Sequence, residues 1–105
     1  MRAVERFCRY AAYDTQSSEV SGTSPSTEKQ LVLAKALCEE LTALGAENAH
    51  VDEYGYVYGW VPAAPGCEAA PALGLIAHMD TTPDLTGKDV KPQIIHYEGG
   101  DIVLN

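Results

Sequence analysis

A chain of 105 residues makes at most one modest domain, and one of this length is short of buried surface compared with larger domains. Hydrophobic residues make up 46% and charged residues 21% of it, ordinary globular values that argue against disorder or a fibrous repeat. With 15 acidic residues against 7 basic ones, the formal charge of -8 repels phosphate backbones and anionic lipid, and no Lys/Arg cluster relieves it, so no nucleic acid or membrane partner is expected.

Val4, Phe7, Cys8, Ala11 and Ala12 fall at i, i+3, i+4, i+7, i+8 spacing, which predicts an amphipathic helix ending near Tyr13. Glu5, Arg6 and Arg9 interrupt the apolar core that a signal peptide would need, and no apolar run approaches membrane-spanning length. A cytoplasmic protein is expected. Residues 14–26 are rich in Ser, Thr, Gly and Pro and read as an exposed connection. Thr27 and Gln30 then have capping-box spacing, opening a second helix whose apolar face is Leu33, Ala34, Leu37, Cys38, Leu41 and Leu44. Gly45 stands where a left-handed cap is wanted.

Ala49 and Val51 alternate with His50 and Asp52, Tyr54-Gly55 offers a tight turn, and residues 56–61 are aromatic and β-branched. That pattern predicts a β-hairpin. The Pro- and Ala-rich stretch 62–71 reads as a surface loop, and the fully apolar stretch 72–77 as a strand covered on both faces. Residues 101–104 read as a further strand. The expected fold is a partial three-layer α/β arrangement, two helices packed on a mixed sheet of the hairpin, the 72–77 strand and the 101–104 strand. Cys8, Cys38 and Cys67 are odd in number, widely spaced and without a C-x-x-C pair, so they fit neither a disulfide framework nor a thiolate zinc site. They are expected to be small buried hydrophobes.

The 72–77 strand would deliver His78 to its carboxyl end, the edge at which open α/β sheets bind ligands. His78-Met79-Asp80 fits metal chemistry, because an imidazole that ligates zinc through one nitrogen presents the other to an acceptor, and a carboxylate two residues on can fix that tautomer. The spacing alone is weak, and a His satisfied by its neighbouring Asp at a strand end fits it equally. Elsewhere the plainer readings prevail. His50 and His96 read as surface or structural residues, Trp60 and the hairpin tyrosines as packing, and Thr81 and Thr82 as turn or hydrogen-bonding residues. Glu39 and Glu40, adjacent on a helix, point about 100° apart and read as a solvated face rather than an acid/base pair.

Several separated motifs, in one order, point to a family: "ERF" at 5–7, "DTQS" at 14–17, "PSTE" at 25–28, "HMDTTPD" at 78–84, "GKDVKPQII" at 87–95 and "GGDIVL" at 99–104. Together they resemble the amino-terminal quarter of the peptidase T family, tripeptide aminopeptidases of the dinuclear-zinc aminopeptidase/carboxypeptidase clan. The resemblance implies that residues 1–105 are the amino-terminal part of a zinc-peptidase catalytic domain, with two zinc ions per active site. It implies His78 as a zinc ligand and Asp80 as the carboxylate that clamps its imidazole. Short peptides are the implied substrates. The family's remaining metal ligands, its general base and its lid domain, through which many relatives dimerise, would lie beyond Asn105, so the chain is expected to be a fragment, inactive alone. Two other readings stay open: a clan hydrolase acting on acylated amino acids or ureido compounds, and a binding module that pairs through an exposed sheet edge.

Overall fold

The computed structural model describes residues 1–103, which form two helices and one two-stranded antiparallel sheet. Helix α1 spans Ala3–Tyr10 and helix α2 spans Gln30–Ala43. Helix α2 ends as its sequence requires. The Gly45 amide reaches the Thr42 carbonyl and the Ala46 amide reaches the Leu41 carbonyl, a pair of bonds that forces Gly45 to φ +90°. A residue without Cβ adopts that angle at little cost.

The other end of α2 departs from expectation. Lys29 is the N-cap and makes no side-chain capping bond, so the Thr27/Gln30 capping box is not formed. The Thr27 hydroxyl is spent instead on the Gln16 carbonyl, and the Gln30 amide donates to the hydroxyls of Ser26 and Thr27. Helix α1 differs as well. Its apolar stripe faces outward, with Phe7 68% exposed, and the half-buried residues of α1 are Arg6, Cys8 and Tyr10. What ties α1 to α2 is polar: the Arg6 guanidinium and the Tyr10 hydroxyl both donate to the Glu40 carboxylate, and Arg9 lies 3.9 Å from it. Glu40 is therefore no solvated residue, its side chain being 13% exposed, whereas Glu39 does face solvent.

Strands β1, Glu47–Val51, and β2, Val57–Trp60, form the expected hairpin. His50 stands opposite Tyr58 and Val51 opposite Val57, with a register irregularity between Glu47 and His50 where Asn48 takes φ +52°. An extra residue on one strand produces such a bulge. The Asp52 carboxylate accepts the amides of Tyr54 and Tyr56 and closes the turn. Helix α2 packs on both strands, and Gly59 permits the approach: a Cβ there would lie 3.2 Å from Leu41 and 3.3 Å from Ala46.

The 72–77 segment is not a strand. It has no regular structure and is exposed throughout, Ile76 completely. An apolar strand needs ladder partners along its edges and cover on both faces, and no described residue supplies either. Residues 101–103 are likewise without regular structure, while Leu104, the end of the other expected strand, lies outside the described residues. The three-layer sheet is therefore reduced here to an α/β unit of two helices and one hairpin. Among the described residues Leu33 and Ala34 are the buried apolar side chains, so Cys8 and Cys38 are only half-buried, Cys67 is exposed, and Tyr54, Tyr56, Tyr58 and Trp60 are about half exposed.

Candidate metal-binding loop and its brace

His78 lies at the end of the apolar stretch, and its Nδ1 is 3.1 Å from Oδ1 of Asp80. A neutral imidazole that donates from Nδ1 keeps its Nε2 lone pair free. The imidazole is 86% exposed and Asp80 about half as much, so that lone pair is open to a ligand. This donor chemistry fits one ligand position of a zinc site. Among the described residues no group of three or more His, Cys, Asp or Glu side chains is arranged to hold a metal ion, so the described residues do not by themselves make a complete site. His50 stacks on Tyr58 at 5.1 Å, and His96 lies 3.5 Å from Glu98; neither approaches His78 in a cluster.

The segment after Asp80 is held in place from a distant part of the chain. Thr81 donates its amide to the Thr15 carbonyl at 3.1 Å, and its carbonyl accepts the Ser17 amide at 2.9 Å and the Ser17 hydroxyl at 2.8 Å. Gln16 and Thr81 thus form an isolated parallel bridge. The Gln16 side-chain amide reaches on to the Pro83 carbonyl at 2.8 Å. Residues 14–17 are therefore not the exposed connector their composition suggests, and Thr15 is 2% exposed.

Lys29 anchors the strap. Its ammonium lies 3.0 Å from the Asp14 carboxylate and 3.2 Å from Oε1 of Gln16. The bond from Lys29 holds the Asp14 carboxyl below the usual carboxylate range, helped by the Gln16 amide that Asp14 also accepts. Gly87 is buried against this corner, where a Cβ would fall 2.9 Å from Oδ1 of Asp14 and 3.3 Å from the Thr81 hydroxyl. Thr82 and Asp84 close their own turn through a 2.6 Å hydroxyl–carboxylate bond. Sequence periodicity gave no sign of Lys29, Thr15 or Gly87, because their contacts join residues 13 or more positions apart, beyond the reach of any local pattern; "DTQS" and "GKDV" stood out only as parts of the family resemblance.

No protein-family model matches the chain. Curated proteins do. It is 57% identical over 103 residues to a peptidase T of Desulfitobacterium hafniense, covering 97% of this chain and 25% of that protein. A peptidase T of Parabacteroides distasonis is 50% identical over 105 residues, 100% of this chain and 26% of the relative. For a peptidase T of Caldanaerobacter subterraneus the identity is 53% over 105 residues, 99% of this chain and 25% of the relative. The chain spans about a quarter of the length of the curated relatives it matches. With half or more of its residues identical along its whole length, the chain is homologous to peptidase T and corresponds to about one quarter of that protein.

Proposed function

We propose that the chain is the amino-terminal quarter of a zinc-dependent, cytoplasmic aminopeptidase that releases the N-terminal residue of tripeptides. The observation that carries this reading is similarity to about a quarter of peptidase T along nearly the whole of this chain, at 50–57% identity. In this reading His78 offers Nε2 to one zinc ion, and Asp80 accepts the Nδ1 proton, which selects the tautomer and raises the basicity of the ligating nitrogen. Zinc, when bound, supplies a Lewis acid for the scissile carbonyl and lowers the pKa of a bound water. The other metal donors and the general base come from the rest of a longer polypeptide, because one imidazole leaves a metal mostly water-ligated.

The test uses the full-length protein with and without His78→Ala, measuring bound zinc, melting temperature and tripeptide hydrolysis. The expected outcome is loss of zinc and of turnover in a protein that still melts cooperatively. Wild-type zinc content and turnover in His78→Ala would refute the assignment, and hydrolysis of acyl-amino acids in preference to tripeptides would move the enzyme elsewhere in its clan.

A further inference from the structure

The loop that carries His78 and Asp80 has no strand to hold it, yet the residue following Asp80 is bound on both sides by a strap from the start of the chain. Backbone bonds from Thr15 and Ser17 fix Thr81, and Gln16 fixes Pro83. The Gln16 side chain can serve Pro83 only if its NH2 end points there, since a carbonyl accepts and cannot donate. The Lys29 ammonium decides that orientation. It donates to Oε1 of Gln16 at 3.2 Å, which turns the NH2 end toward Pro83, and it anchors Asp14 at 3.0 Å, whose Oδ1 accepts the Gln16 backbone amide.

We propose that Lys29, acting through Asp14 and Gln16, is a positioning residue that sets the place of the His78–Asp80 loop, an inference that rests on the reading of His78 as a metal ligand. Lys29 touches neither His78 nor Asp80. Its effect passes through one side-chain amide and two backbone pairings to the residue adjoining Asp80. The position calls for a hydrogen-bond donor, and a cation is the stronger one against the Asp14 carboxylate; an apolar side chain such as Met neither holds that carboxylate nor orients the Gln16 amide.

The experiment compares full-length wild type, Lys29→Met, Lys29→Arg, Asp14→Asn and His78→Ala. Amide hydrogen exchange is followed on the metal-free protein, and zinc affinity by chelator competition, kcat and KM for a tripeptide are measured on the loaded one. In Lys29→Met, exchange at Thr81 and Ser17 should speed up while the interior amides of α2 keep wild-type rates. Zinc affinity and kcat should fall roughly 10-fold, as for loss of an outer supporting group, with KM little changed. Lys29→Arg should restore both readouts. Asp14→Asn, which breaks the ion pair but leaves the Lys29–Gln16 bond and the acceptor for the Gln16 amide, should speed exchange at Thr81 and Ser17 in the same direction to a smaller extent, and decides the matter should Lys29→Met fail to fold. Wild-type exchange at Thr81 and Ser17 in both neutral variants would overturn the proposal. So would fast exchange combined with wild-type zinc affinity and kcat, which would leave the strap a stability element and the His78 assignment intact. Wild-type zinc binding in His78→Ala would instead remove the metal reading itself, and the positioning role with it.

Discussion

His78 and Asp80 meet at 3.1 Å over two residues of separation, so their pairing is a local event that any fold carrying this loop retains. Replacing Asp80 by Asn keeps an acceptor oxygen but removes the charge and lets the amide turn the wrong way. In the full-length protein Asp80→Asn should lower zinc affinity or kcat by roughly 10- to 100-fold, about 1.4 to 2.7 kcal/mol, without change in melting temperature. A lowered melting temperature with wild-type turnover would make Asp80 a turn residue instead. Gly87 is the second position at which one atom decides. A methyl group there meets Asp14 Oδ1 at 2.9 Å, so in the full-length protein Gly87→Ala should cost about 1 to 3 kcal/mol in urea unfolding through displacement of the strap. Unfolding at the wild-type midpoint would mean that the corner has slack.

Helix α1 has no buried apolar face, so its attachment to α2 rests on the Glu40 carboxylate. The Tyr10 hydroxyl, and after it the Arg6 guanidinium, hold that carboxyl below the usual glutamate range. A group with a depressed folded pKa stabilises the structure at pH values above its unfolded pKa and loses that contribution as pH falls through the folded one. The docking of α1 should therefore weaken progressively below about pH 4. Glu40→Gln should loosen α1 at neutral pH and abolish this acid-side change, which amide exchange in α1 followed against pH will register; an unchanged acid transition in Glu40→Gln would assign it to another carboxylate. In the hairpin, Gly55 combines φ +85° with a Cβ position 3.2 Å from the Pro25 ring. Gly55→Ala is expected to cost about 1 to 2 kcal/mol from the left-handed backbone alone, and thermal melts of the full-length protein with Gly55→Asn as partner test it, Asn being the better tolerated there.

At the scale of the molecule the notable quantity is openness. The radius of gyration is 17.1 Å, where a closed domain of this length has about 13 Å. The accessible surface is 8689 Å², where about 5,700 Å² is usual for the mass. Leu73, Leu75, Ile76, Ile94 and Ile95 are among the large apolar side chains left exposed. Extensive exposed apolar surface marks an interaction or ligand site or an aggregation liability. The 105-residue polypeptide expressed alone should bind ANS, melt without a sharp transition and, given zinc, hydrolyse no tripeptide above a metal-only blank. The full-length protein should bind little ANS and melt cooperatively. A cooperative melt or turnover by the short polypeptide, lost on His78→Ala, would show that the loop needs no further cover or donors.

What the sequence determined by itself was local. The α2 face ending in Gly45, the hairpin around Asp52 and Gly55, and the His78–Asp80 pair all depend on residues within a few positions of one another, where periodicity and turn chemistry act directly. Family resemblance added the proposal that this loop is a metal-ligand loop, since several ordered motifs specify more than any one spacing. Tertiary structure alone decided the rest. It turned Phe7 outward and made Glu40 the link between the helices, it pulled 14–17 out of solvent onto Thr81, and it recruited Lys29 to hold that strap. The 72–77 stretch shows the reason most plainly: its apolar composition states a need for cover and ladder partners, but strand formation is a property of a pair, and a strand without its neighbours is only extended chain.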